Sequence, residues 1–295
     1  MAEKYEVEYV AGGATQNSIR VAQWMSQTPG ATAYMGCVGD DAFGATMAAA
    51  CAADGVTTNY MIDPSTPTGT CAVIVKDGER SLCAALNAAN NYKVEHLNAP
   101  ENFAFVEAAK FYYSAGFFIT VSPDSIMRVA THACENGKTF MMNLSAPFIM
   151  QVPPFLAALL AALPYVDILF GNESEALTFA QSQSWDTKDV KEIALKIAAM
   201  PSAQGKPSRT VVITQGCDPT IVARDGAVSE YGVIPLAKED LVDTNGAGDA
   251  FVGGFISQLM VGADVATCCA AGNYAANKII QESGCKCPGV PDFKP

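Results

Sequence analysis

The chain has 295 residues, 50% hydrophobic, 16% charged and 9% aromatic, which is too apolar for a disordered protein. Its 24 Gly and 16 Pro are scattered without a period, so collagen-like and low-complexity classes are excluded as well. With 18 Lys+Arg against 30 Asp+Glu the formal net charge is −12, which argues against nucleic acid or an acidic membrane as the main partner. An anionic substrate is still compatible, because backbone dipoles and a single Arg can hold a phosphate.

The longest apolar stretch, Phe155 to Leu163, is flanked by Pro153, Pro154 and Pro164 and falls far short of the ~20 residues of a membrane span. The start, Met1-Ala2-Glu3-Lys4-Tyr5-Glu6, is charged and reads as lacking a secretory signal. Ten cysteines include no Cys-x-x-Cys pair, and the two histidines, His96 and His132, are far apart. No zinc site is expected from that set, and the thiols read as reduced and mostly buried in a cytosolic protein.

In chain order, Glu6 to Val10 alternates polar and apolar residues and reads as a strand. Thr32 to Cys37 reads as a buried strand, followed by a helix over Ala42 to Ala53 that Asp54-Gly55 stops. Thr70 to Lys76 and Glu79 to Leu82 flank Asp77-Gly78, the cue for a hairpin with a type I′ turn. Further strands are expected at Phe111 to Ser114, Thr139 to Asn143, Asp167 to Phe170 and Thr210 to Thr214. Helices are expected between them: after Pro123 to Asn136-Gly137, from Glu173 to Ala180, and from Lys188 to Ala199. This alternation points to an α/β fold with a parallel sheet covered by helices on both faces. Consecutive apolar residues such as Val211-Val212-Ile213 fit strands buried on both sides. A second hairpin is expected around Asp225-Gly226, and two helices close the chain, one to about Met260 and one from Asp264 to about Glu282.

The sharpest chemical signal is Asp243-Thr-Asn-Gly-Ala-Gly-Asp249, a glycine turn opening a helix. Glycines let the backbone N–H groups of Asn245 to Gly248 turn inward. A helix N-terminus adds unpaired donors and a positive dipole, so the turn suits a phosphate. Asp249 in the same first turn is out of place as an anion ligand and suits a general base that accepts a proton from a hydroxyl. Together they suggest phosphoryl transfer to an alcohol. The plainer reading of Asp249 is a helix-capping or dipole partner. Walker A is excluded for want of Gly-Lys-Ser/Thr, and Phe251 stands where a dinucleotide fingerprint needs its third glycine.

The segment 243–251 resembles the C-terminal signature of the ribokinase-like carbohydrate and nucleoside kinases, and Gly12-Gly13-Ala14-Thr15-Gln16-Asn17 resembles their N-terminal signature. Within that family the adenosine kinases of eukaryotes are similar across nearly the whole chain. Val21-Ala-Gln-Trp-Met25, Pro67-Thr-Gly-Thr-Cys71, Ala115-Gly-Phe-Phe118, Asn143-Leu-Ser-Ala-Pro-Phe148, Asp167-Ile-Leu-Phe-Gly-Asn-Glu173 and Gly284-Cys285 carry the likeness. The resemblance implies a ribokinase-like, mostly parallel sheet flanked by helices, with a small β lid. The lid would comprise residues 1–11 and 67–86, and the large nucleotide-binding domain residues 12–66 and 87–295.

It further implies an ATP:adenosine 5′-phosphotransferase of purine salvage, with ATP as co-substrate and Mg2+ as cofactor. Asp249 would be the base, Gly246, Ala247 and Gly248 the anion hole, and Arg80 the cation closing over the phosphates. Gly12, Gly13, Asn17 and Asn245 would bind the ribose end of adenosine, and Cys71, Leu82, Phe117 and Phe148 would wall the adenine. Asn172 and Glu175 match the Asn-x-x-Glu element that organises Mg2+, Glu175 through water; read without the family, Asn172 is a helix cap. Thr214, Gly216 and Asn273 would lie near ATP. A monomer in the cytoplasm is implied, with the nucleus open as a second compartment.

The sequence departs from the family in three places. Ala14 replaces a common hydroxyl residue, Asn273 stands where a His is frequent, and no residue matches an Asp that precedes the Gly-Gly motif in relatives. The last point motivates a competing expectation, a nucleoside-binding form without catalysis; a kinase for another nucleoside or a sugar is the other.

Overall fold

A computed structural model describes residues 7–76 and 79–294, with backbone alone for 74–76 and 79–82. The chain forms two compact units. Among the described residues, the first comprises 7–34, 46–58 and 234–294, and the second 35–45, 59–76 and 79–233.

The first unit is dominated by three helices: α1 (Ala14–Ser26), α10 (Ala247–Leu259) and α11 (Val265–Ile279). Each begins where the sequence allows. Gly13, at φ +102°, precedes α1, and Gly246, at φ +81°, precedes α10. The Asp264 carboxylate accepts from the Thr267 N–H to cap α11. Glycines let the three pack closely. A Cβ on Gly253 would fall 2.5 Å from the Ser18 carbonyl of α1, and one on Gly254 would overlap the Ala271 carbonyl of α11. Val21, Trp24, Met25, Ala250, Ala271, Ala275 and Ile279 form the core among them.

The second unit is built on a six-stranded sheet. Strands β5 (Phe111–Ala115), β6 (Thr139–Asn143), β7 (Ile168–Asn172) and β8 (Thr210–Gln215) run parallel. Strands β9 (Asp218–Arg224) and β10 (Ala227–Tyr231) extend the sheet antiparallel through the expected Asp225-Gly226 hairpin, both turn residues having positive φ. The order across the sheet is β10-β9-β8-β7-β6-β5. Helices α5 (Pro123–Glu135), α8 (Glu173–Ser182) and α9 (Val190–Ala198) pack on it. Arg209, wholly buried at the entry to β8, donates to the carbonyls of Leu163, Val166, Ile197, Met200 and Pro201. Burial lowers its pKa to about 10, so it remains a cation at neutral pH.

The mostly parallel α/β expectation is met, with corrections at the periphery. Strand β1 (Ala33–Gly39) is not in the main sheet but pairs with β2 (Thr57–Asp63) in a separate two-stranded sheet. Its first four residues are not buried, as a strand of the main sheet would be. Residues 7–10, expected as a strand, take no place in any described sheet, and alternation alone makes no strand without a partner edge. The other expected hairpin forms from β3 (Thr70–Lys76) and β4 (Glu79–Ala85), in register from Thr70↔Ala85 to Lys76↔Glu79. Its turn, Asp77-Gly78, lies outside the described residues. The ten cysteines are free, five of them buried.

Candidate active site

In the first unit the structure joins the two glycine motifs. Gly12 and Gly13 lead into α1, where the Gln16 side-chain amide donates to the Gly12 carbonyl at 2.9 Å and the Asn17 N–H to the Gly13 carbonyl at 2.8 Å. One turn further, Arg20 holds the approach to this loop. Its guanidinium donates to the Ala11 carbonyl at 3.0 Å and to the Cys285 carbonyl at 3.3 Å, and it pairs with Asp54 at 2.5 Å.

The second motif is shaped from below by Asp243. This carboxylate accepts from the Asn245 N–H at 2.8 Å and from the Gly284 N–H at 3.0 Å. It thereby folds the Thr244–Gly248 turn against the C-terminal segment. Gly246 adopts a left-handed conformation with Cys285 beneath it, and a side chain there would be strained by its backbone. Of the three expected anion-hole amides, Ala247 N–H turns back to the Thr244 carbonyl at 3.2 Å. Among the described residues, the Gly246 and Gly248 amides have no acceptor within the protein. Two donors at the head of a 13-residue helix are therefore left for an anion.

Asp249 sits in that first turn. Its side chain keeps some exposure, yet enough protein surrounds the carboxylate for burial to push its pKa up to about 7. Asn17 opposes that rise by donating from Nδ2 to Oδ2 at 2.9 Å. Two buried amide atoms near these motifs have no partner among the described residues: Oδ1 of Asn17 and Nδ2 of Asn245. One acceptor and one donor are thus unsatisfied in a buried setting, an arrangement that costs stability unless a ligand completes it. Asn273, on α11, is buried in the same unit.

In the second unit the remaining candidates gather at the C-terminal ends of parallel strands. Ala115↔Asn143 and Asn172↔Thr214 are register partners at the ends of β5/β6 and β7/β8. Open parallel sheets bind ligands outside these ends. Gly116 follows β5 and lies so close to the Asn143 and Leu144 carbonyls, at 2.5 and 2.7 Å from a would-be Cβ, that only glycine fits. Phe117 comes next, and its ring lies 6.2 Å from that of Phe148, tilted by 33°. Both rings are about two-fifths exposed, at 43% and 41%, so they line a surface and do not fill the core.

Asn172 does cap α8: its Oδ1 accepts from the Glu175 N–H at 2.9 Å. Glu175 reciprocates, accepting from the Asn172 N–H at 3.0 Å and from its Nδ2 at 2.9 Å. Glu175 is 5% exposed and burial raises its pKa. Thr214 reaches the Gly171 carbonyl at 3.4 Å, and Gly216 follows at φ +60°. Cys71 is exposed on β3. Arg80 and Leu82 are placed on β4 by their backbone, and their side chains lie outside the described residues.

Arg20 was not singled out in the sequence, and Asp243, though it opens the glycine motif, was given no role. An arginine three residues beyond Asn17, hence on the same helical face, was the available signal. For Asp243 it was an Asp two residues before a glycine turn.

Comparison with known proteins gives a concordant result. The model of the pfkB family carbohydrate kinases matches residues 1–292. Adenosine kinase 1 of Arabidopsis thaliana is 59% identical over 293 residues, 99% of this chain and 85% of that protein. The crystal structure of Anopheles gambiae adenosine kinase in complex with P1,P4-di(adenosine-5) tetraphosphate superposes with a TM-score of 0.94 at 48% identity, covering 99% of this chain and 85% of that one. Adenosine kinase from Schistosoma mansoni in complex with adenosine and AMP gives 0.91 at 34% identity, covering 99% and 86%.

Proposed function

The chain belongs to the pfkB family of carbohydrate kinases, and on that footing we infer that it transfers the γ-phosphoryl group of ATP to the 5′-hydroxyl of adenosine, giving AMP and ADP. The observation that carries this reading is the pairing of Asp249 with two unsatisfied amides, Gly246 and Gly248, in one helical turn. The adenosine kinases it resembles over 99% of its length support the choice of substrate.

Asp249 takes the proton of the 5′-hydroxyl as that oxygen attacks the γ-phosphorus. The new O–P bond forms as the bond from phosphorus to the β-γ bridging oxygen breaks, and ADP leaves with that electron pair. A carboxylate with a pKa near 7 suits the task, being ionised for much of the time yet basic enough to accept the proton. The Gly246 and Gly248 amides face charge building on the transferred group. Gly12, Gly13, Asn17 and Asn245 hold the ribose end, where the two unpartnered amide atoms match hydroxyls that both give and receive hydrogen bonds. Phe117 and Phe148 offer a face to adenine.

Mg2+ is proposed as the cofactor on the same terms. Both Glu175 oxygens already accept from Asn172, which leaves this carboxylate suited to hold water around a cation and not to bind it directly. A hydrated Mg2+ carried by the ATP phosphates fits that donor set and would neutralise phosphate charge. Thr214, Gly216 and Asn273 are proposed to border ATP. The hairpin with Arg80 is proposed as the lid that excludes water, and the working unit is proposed to be a monomer.

The test is product formation from ATP and Mg2+ with adenosine, inosine or ribose in parallel. Adenosine should be preferred by about a hundredfold or more in kcat/KM, because unmatched polar contacts discriminate strongly. Faster turnover of inosine or ribose would reassign the substrate. Adenosine binding without AMP would leave only a binding protein.

A further inference from the structure

Asn17 and Asp249 are 232 residues apart in sequence and share one hydrogen bond. Four observations bear on what that contact does. Asn17 is 91% buried, since its exposure is 9%. Its Nδ2 donates to Asp249 Oδ2 at 2.9 Å. Its Oδ1 has no partner among the described residues. The helices carrying the two residues meet at Gly253, where a Cβ would stand 2.5 Å from the Ser18 carbonyl and 2.6 Å from Val21 Cβ. Close packing of this kind leaves little slack in the distance between α1 and α10.

We propose that Asn17 is a positioning residue for the base: its amide fixes the rotamer of the Asp249 carboxylate and couples the state of that carboxylate to the occupancy of the sugar site. The proposal rests on the phosphotransferase reading for its sugar site and its kinetic consequence; the hydrogen bond between the two side chains is a property of the unliganded protein.

A carboxylate that receives an N–H is favoured in its charged form. Because Nδ2 is committed to Asp249, Oδ1 is the amide atom left to accept from a hydroxyl. A hydroxyl that donates to Oδ1 polarises the amide and strengthens the opposite N–H. Sugar binding and base ionisation are therefore linked through one planar group. Other charged or titratable groups stand on the elements around α10. From α1 there is Arg20, committed to Asp54. From the C-terminal segment there are Cys285 and Cys287, whose thiols burial holds up at about 12 and hence uncharged, and Lys286, paired with Glu8. Asp243 lies in the preceding turn, and α11 brings Cys268, Cys269, Tyr274, Lys278 and its cap Asp264. Burial and the Asn17 bond are the influences acting on Asp249.

The experiment is a 13C NMR titration of the Asp249 carboxyl in unliganded protein, assigned with Asp249→Asn, read beside the pH profile of kcat. In the wild type the Asn17 side-chain amide resonances should titrate with the Asp249 midpoint, a measurement that needs no variant. Asn17→Ala should raise that midpoint, and the acid limb of kcat, by about one pH unit. Asn17→Asp, nearly the same shape, should raise it further by setting a like charge beside the first. A lower kcat with an unmoved midpoint in either folded variant, or an Asn17 amide indifferent to the Asp249 titration, would overturn the proposal. A moved midpoint in a protein that does not phosphorylate adenosine would retain the Asn17–Asp249 positioning and reject the reaction.

Discussion

Asp249→Asn should make the protein more stable at neutral pH while removing its chemistry. A carboxylate whose folded pKa is raised from 3.8 to about 7 holds its proton in the native state over a range where the unfolded chain has lost it. The contribution of Asp249 is therefore most favourable below pH 4 and is lost as pH rises to 7. The shift of roughly three units corresponds to about 4 kcal/mol as an upper bound. The residual exposure of the side chain brings the expected penalty down to about 2 kcal/mol. Asparagine carries no charge to bury, and its Oδ1 can still accept from Asn17. Urea unfolding of wild type and variant at pH 4, 6 and 8 measures the difference. The variant should match the wild type at pH 4 and exceed it by about 2 kcal/mol at pH 8. A variant equally stable or less stable at pH 8, or a gap that does not change with pH, would refute the burial argument.

Three other perturbations test the frame around the site. Arg209→Met removes the side chain that serves five carbonyls, and should cost about 3 kcal/mol or more in urea unfolding. Gly254→Ala drives a methyl into the Ala271 carbonyl, so α10 and α11 must separate. Its thermal midpoint should fall by several degrees, corresponding to about 2 kcal/mol, and its kcat should drop because Asp249 is carried on the displaced helix. Phe148→Ala deletes one of two facing rings, and calorimetry should show adenosine binding weakened about tenfold, for a stacking loss near 1.4 kcal/mol. An unchanged affinity would remove Phe148 from the adenine site.

Much of the scaffold was legible because its signals are local. Strand β6 and helix α2 (Ala42–Ala53) appear with the boundaries their patterns indicate, and Asp225-Gly226 makes the hairpin its positive-φ preference requires. Strand β2 was missed because Thr57-Thr-Asn-Tyr-Met-Ile-Asp63 mixes polar and apolar residues without a clean period, and its pairing with β1 is a tertiary fact. Helix α7 (Pro153–Ala162) read only as an apolar stretch, although two prolines at its start fit the first helical turn. At the site, the glycine turn and Asp249 were visible as a motif. The bond from Asn17 was not, since nothing in a local pattern brings together residues 232 positions apart. The grip of Arg20 on Ala11, Asp54 and Cys285 was hidden for the same reason. Asn172 proved to satisfy its plainer reading as a cap, and the cap itself is what occupies both oxygens of Glu175.

The central claim is that Asp249 is the base in phosphoryl transfer to adenosine. The direct measurement is AMP formation from adenosine and Mg·ATP by wild type and by Asp249→Asn, with adenosine affinity of each determined by calorimetry. The wild type should turn over, and the variant should lose about a thousandfold in kcat while binding adenosine within about threefold of wild type. A variant that keeps a tenth or more of the wild-type kcat would contradict the assignment.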